Sequence, residues 1–209
     1  MEWNGSILIA SIVALIGIGV TIRNHSKDIK NKEKELRRDK ITKQLTEFYS
    51  PILTYLQASK AFSRELLNKK PNDFNLLAYL LDENHKFEGD TTVVLNDKEK
   101  ELIKEVMKIS DKISTIIVDK GGLVEDTRLT INYEPDPEIT NVILDEDNKD
   151  IGLNGLLLVH YKILESAQKQ EISGNYEYYK QFVFPREFVK VIKENYHQLK
   201  TELENIKLD

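Results

Sequence analysis

Apolar side chains follow three different spacings in this chain, and each spacing predicts a different kind of element. From Trp3 to Ile22 no charged residue interrupts the run, and Ile7, Leu8, Ile9, Ile12, Val13, Leu15 and Ile16 cover every face of a helix. Twenty residues at about 1.5 Å rise give roughly 30 Å, the thickness of a bilayer's hydrocarbon core. Such a helix also satisfies its own backbone polar groups, which lipid cannot do. Residues 1–22 therefore predict a transmembrane anchor. From Ile41 onward the spacing is that of half-buried helices, with Ile41, Leu45, Phe48, Tyr49 and Ile52 on one stripe. The same period predicts helices over Ile52–Leu67, Asn72–Leu81, Asp97–Val118, Leu153–Ala167 and Pro185–Ile206, the third stopping at Gly121-Gly122. Thr91–Leu95 and Leu129–Tyr133 are the two short stretches that read as strands. The predicted fold class is mainly α: an anchor over 1–22, a charged helical stalk over 23–44 and an antiparallel helical bundle over 45–209. Stripes of this breadth need partner helices to cover them.

Charge gives the anchor an orientation. Residues 23–44 hold nine Lys or Arg against four Asp or Glu, a net +5 directly after the apolar run. Positive charge close to a span favours the cytoplasmic side. The expectation is a single-pass protein of the cell membrane with its N-terminus outside and its C-terminal domain in the cytoplasm. A cleaved signal peptide fits less well, because a basic, strongly helical segment follows the run in place of a small-residue cleavage site. The whole chain carries −5, so residues 45–209, which exclude Glu2 and the basic stalk, carry −9. That balance argues against nucleic-acid binding by the domain, since nothing neutralises phosphate. The absence of cysteine agrees with a reducing compartment. Within the anchor Ser6, Ala10, Ala14 and Gly17 fall on an arc of roughly 80°. Small residues let helix backbones approach closely in lipid, so this face is the candidate for association between copies.

Pro51 interrupts the first amphipathic stripe. Proline lacks an amide hydrogen and clashes with the preceding turn, so a kink or a restart capped by Ser50 is expected there. Phe48, Tyr49 and Pro51 are the candidate hinge between the membrane-proximal helix and the domain, or else an aromatic pair seated in the core by an ordinary kink.

The chain shows no recognised catalytic pattern. Asp119-Lys120-Gly121-Gly122 lacks the spacing of a phosphate loop and follows a helix rather than preceding one. Asp145-Glu146-Asp147-Asn148-Lys149-Asp150 puts lysine at a ligand position of a calcium loop and aspartate where glycine belongs. Glu134–Glu138, with its two prolines, reads as a stiff acidic loop. His25, His85, His160 and His197 have no metal-ligand spacing, and there is no Gly-x-Ser-x-Gly elbow or cysteine nucleophile. No catalytic residue, metal or cofactor is assigned. His160 lies on an apolar helical face beside Tyr161, where a lone histidine is ordinarily a core residue bonded to a neighbour. Tyr176, Tyr178, Tyr179 and Phe182 concentrate rings between two predicted helices. With His160 they form the candidate recognition surface for a protein partner, or a lid on the domain's own core.

Leu45-Thr46-Glu47-Phe48-Tyr49-Ser50-Pro51-Ile52, placed after one span and a charged rod, resembles a loose group of small bacterial single-pass membrane-anchored proteins. In those, a Leu-x-x-Phe-Tyr-x-Pro-Leu/Ile segment follows the span. Leu158-Val159-His160-Tyr161-Lys162-Ile163-Leu164 adds to the likeness. The resemblance implies an architecture and no chemistry. The function expected is a membrane-tethered interaction or regulatory protein that associates with itself or an unidentified protein partner. The alternatives are a membrane effector of an anti-phage defence system that perturbs the bilayer, and an enzyme with a site near His160.

Overall fold

The computed structural model describes residues 25–131, 133 and 151–206. The predicted anchor over 1–22, its small face Ser6, Ala10, Ala14 and Gly17, and the two acidic segments 134–138 and 145–150 lie outside the described residues. Among those described, no helix is long and apolar enough to cross a membrane. The described residues group into two compact units, one holding 25–42 and 200–206, the other Lys43–Leu199.

Helix α1 covers 25–43, and its residues 25–42 belong to the first unit. Arg37 donates from Nε and Nη2 to the two carboxylate oxygens of Glu202, at 2.6 and 2.9 Å. Ile41 is buried, whereas Ile29 and Leu36, seven residues apart, are 47% and 62% exposed.

The second unit opens on a π-helical turn, Gln44–Tyr49, that runs without a break into α2, Ser50–Leu67. The expected restart at Ser50 does not occur. Tyr49 and Ser50 keep helical dihedrals, Ser50 caps nothing with its side chain, and its amide donates five residues back to Leu45. The wider turn answers the steric problem of Pro51: it lets the helix absorb a residue with no amide hydrogen instead of stopping. Phe48 and Tyr49 are buried and meet edge to face at 5.1 Å. Gln44, almost wholly buried, donates from Nε2 to the Leu123 carbonyl at 2.6 Å, and Glu47 pairs with Lys120 at 2.7 Å.

Helix α3, Leu76–Leu81, starts four residues later than the period suggests, because Asn75 caps it by accepting from the Leu77 and Ala78 amides. A small hairpin follows, β1 Lys86–Phe87 against β2 Thr91–Thr92, antiparallel with Phe87 opposite Thr91. Gly89 sits at the turn with φ 73°. Beyond Thr92 the segment stops pairing but keeps the strand's alternation, with Val93 and Leu95 buried and Val94 83% exposed. Val93, Leu95, Phe87, Phe74, Tyr79, Leu66 and Ile103 close one apolar cluster.

Helix α4, Asp97–Lys120, carries a reciprocal cap: Asn96 accepts from the Glu99 amide, and Glu99 accepts from the Asn96 amide. It ends by tightening into a 3-10 turn at Gly121–Leu123, with Gly121 still in right-handed helical dihedrals. Of the expected strand Leu129–Tyr133, Leu129 and Thr130 are helical instead. Asp126 caps a single helical turn, α5 Thr127–Thr130, through the Arg128 amide at 2.9 Å, and that cap overrides the β-branched preference of the segment. Helices α6 Leu153–Gln168, α7 Tyr176–Tyr179 and α8 Arg186–Asn205 complete the chain. α2 lies along α4, while α3, α4 and α5 all pack against α6. The protein is mainly α, as expected.

Candidate functional site

The predicted recognition residues follow from the way α6 presents its face to the segment 176–184. His160 and Tyr161 are adjacent on α6, and a helix that buries Leu157, Tyr161 and Leu164 must turn His160 toward whatever covers that stripe. The cover is the 3-10 turn Lys180–Phe182 and the residues after it. His160 Nδ1 lies 2.9 Å from the Phe182 carbonyl oxygen. A carbonyl only accepts, so Nδ1 carries the proton and donates. The Phe184 ring stands edge-on to His160 at 5.8 Å and tilted to Tyr161 at 6.4 Å. Burial pushes the His160 imidazole below its ordinary value, while the Phe182 carbonyl pulls it back part of the way. Burial pushes the Tyr161 hydroxyl up, so it stays protonated.

The five predicted residues separate into three groups. His160 and Phe182 form the hydrogen-bonded cover just described. Tyr176 turns to α3, where its hydroxyl accepts from Asn75 Nδ2 at 3.0 Å and its ring meets His85 at 6.4 Å. Tyr178 and Tyr179 pack edge to face at 5.0 Å, and Tyr178 is 66% exposed. The segment is therefore mostly a lid on the domain's core, with Tyr178 as its outward ring. Of the candidate hinge, Phe48 and Tyr49 are core residues, and Pro51 sits in the first turn of α2.

Several site-shaping residues had no sequence signal. Asn75 both caps α3 and anchors Tyr176, a double use visible only when residues 101 positions apart meet. Glu187, in the first turn of α8, accepts a buried hydrogen bond from the Tyr133 hydroxyl at 2.7 Å. A carboxylate there also suits the positive end of the helix. Among the described residues no group of three His, Cys, Asp or Glu side chains is placed to hold a metal ion.

The His160 geometry has a pH consequence. A histidine whose folded-state value is depressed contributes stability in full above about pH 6.5, and that contribution is lost as pH falls toward the depressed value. Wild-type protein is expected to lose melting temperature between pH 7.5 and 5.5 more steeply than a His160→Gln variant, whose amide still donates to Phe182. Paired thermal melts at the two pH values check this. Equal slopes would contradict it.

No protein-family model matches the chain, and no curated protein or solved structure matches it either.

Proposed function

We propose that the chain is a membrane-tethered interaction protein without a catalytic role, its helical domain on the cytoplasmic side and its copies associating near the membrane. The observation that carries this reading is the uncharged run Trp3–Ile22 with a net +5 directly behind it. Self-association draws support from the small face Ser6, Ala10, Ala14 and Gly17. Ile29 and Leu36 add to it: they leave apolar surface at heptad spacing on α1, where a second copy of the helix would cover it. The segment Leu45–Ile52, similar to that of small bacterial membrane-anchored proteins, agrees with the same architecture. His160 supports a packing role over acid–base chemistry, because its Nδ1 proton is committed to a backbone carbonyl and no carboxylate among the described residues orients the ring.

The cysteine-free sequence makes the test clean. A Leu36→Cys protein in bacterial membranes is expected to yield a covalent dimer with a short bismaleimide, and Ala10→Leu with Ala14→Leu is expected to suppress that dimer. A Lys98→Cys protein is expected to react with an impermeant maleimide only after the cells are opened. Absence of any covalent dimer, or labelling from outside intact cells, overturns the proposal.

A further inference from the structure

We infer that the cleft between α2 and α8 is a binding site for a small organic anion with an apolar body. The inference stands independently of the membrane tether. The cleft has a volume of about 350 Å³, within the size range of small-molecule sites. Its apolar surface comes from Leu53 and Leu56 on α2 and from Phe184 and Val189 on the other side. Its polar groups are Gln57, Ser59, Lys60 and Ser63 of α2 and Lys193 of α8. Leu53, Leu56, Lys60 and Ser63 recur at three- and four-residue steps, so one face of α2 supplies both the greasy floor and the polar rim.

Charge decides the ligand class. Among the described residues that line it none is acidic, although residues 45–209 carry −9 overall. Among the described residues, neither Lys60 nor Lys193 has an ion-pair or hydrogen-bond partner. The cleft between α4 and α6, of about 310 Å³, offers the contrast. There Lys104, Lys108 and Lys169 are each held by Glu101, Glu105 and Glu165. That cleft has its cations neutralised already, whereas the α2–α8 cleft presents two cations, two hydroxyl donors and the Gln57 amide over apolar carbon. A carboxylate or similar head is satisfied at the rim by charge-assisted hydrogen bonds, and the body lies on Leu56 and Phe184. The Phe184 wall is set by His160 and Tyr161, which hold the ring from behind.

The test uses the full chain in phosphatidylcholine nanodiscs, photolysed with a benzoate bearing a trifluoromethyl-diazirine, followed by mapping of the labelled peptides. Saturable labelling is expected in the stretches 53–63 and 184–193, suppressed by octanoate. The matching uncharged benzyl alcohol is expected to label about tenfold less. Lys60→Glu with Lys193→Glu should lower benzoate labelling by a similar factor without changing the circular dichroism spectrum. Lys104→Glu with Lys108→Glu should leave labelling intact, and Ser63→Trp, which fills the cleft, should abolish it. Equal labelling by the alcohol, indifference to reversal of Lys60 and Lys193, or absence of saturable labelling in these stretches overturns the inference. Protection by phosphatidylglycerol in the nanodisc, without protection by octanoate, overturns it too.

Discussion

Phe48→Ala is expected to destabilise the domain by about 3–5 kcal/mol, the range for removing a fully buried aromatic ring. Phe48 has no exposed surface, and its ring packs edge to face against Tyr49, itself buried. The π-helical turn that carries both rings lies against α4 and the turn that follows it. Removing the ring therefore opens a cavity where three elements meet, and Gln44 and Glu47 hold the backbone too firmly for the gap to collapse. For a chain of this length each kcal/mol lowers the melting temperature by about 2–4 °C, so the midpoint should fall by about 6–20 °C. Thermal unfolding followed by circular dichroism measures it. A loss of only a degree or two would mean that the ring serves a mobile joint rather than a packed core.

Gly152→Ala is expected to be nearly as damaging, for a backbone reason. A Cβ at Gly152 would sit 2.4 Å from the Thr130 carbonyl carbon and 2.6 Å from the Leu129 oxygen. Both are main-chain atoms of α5 and neither can rotate away. Gly152 is the residue from which α6 starts, and its carbonyl accepts the Leu156 amide. To make room, α5 must lift from α6, dragging Leu129, which is wholly buried. Overpacking of this kind costs about 1–3 kcal/mol, and more where only backbone can yield. Urea denaturation should show a lower midpoint for Gly152→Ala. Gly122→Ala, whose new Cβ meets nothing within 4 Å, should leave the midpoint in place.

The contrast between those two glycines also shows what a single sequence makes legible. Long helices with broad apolar stripes are readable, and α4, α6 and α8 begin and end within about two residues of where periodicity puts them. Their boundaries are local matters: Asn96 and Glu99 at one end of α4, paired glycines at the other. Short elements are decided by contacts far away in the chain. Leu129–Tyr133 has strand-like composition, but its first two residues end a helical turn, because Asp126 caps that turn and Asn195 and Arg128 hold Asp126. Pro51 signals a disturbance, yet whether the helix breaks or widens depends on how Phe48 and Gln44 are packed.

The site was legible in a similar proportion. An apolar face around His160 points to a histidine bonded to a neighbour, but not to the carbonyl 22 residues onward that accepts its proton. The aromatic cluster is visible as composition, whereas its division into an anchored Tyr176 and an exposed Tyr178 depends on Asn75. Lys60 and Lys193 look like any other solvated lysines in the sequence. Only their placement around one cleft, with no carboxylate among its described walls, sets them apart.

The central claim is that lipid solvates residues 1–22 and so ties this helical domain to a bilayer. Alkaline carbonate extraction of membranes from cells expressing the intact chain tests it most directly, with detergent extraction alongside. The account predicts that the protein stays in the membrane pellet at high pH and enters solution only with detergent. Recovery of the intact protein in the carbonate supernatant would contradict it.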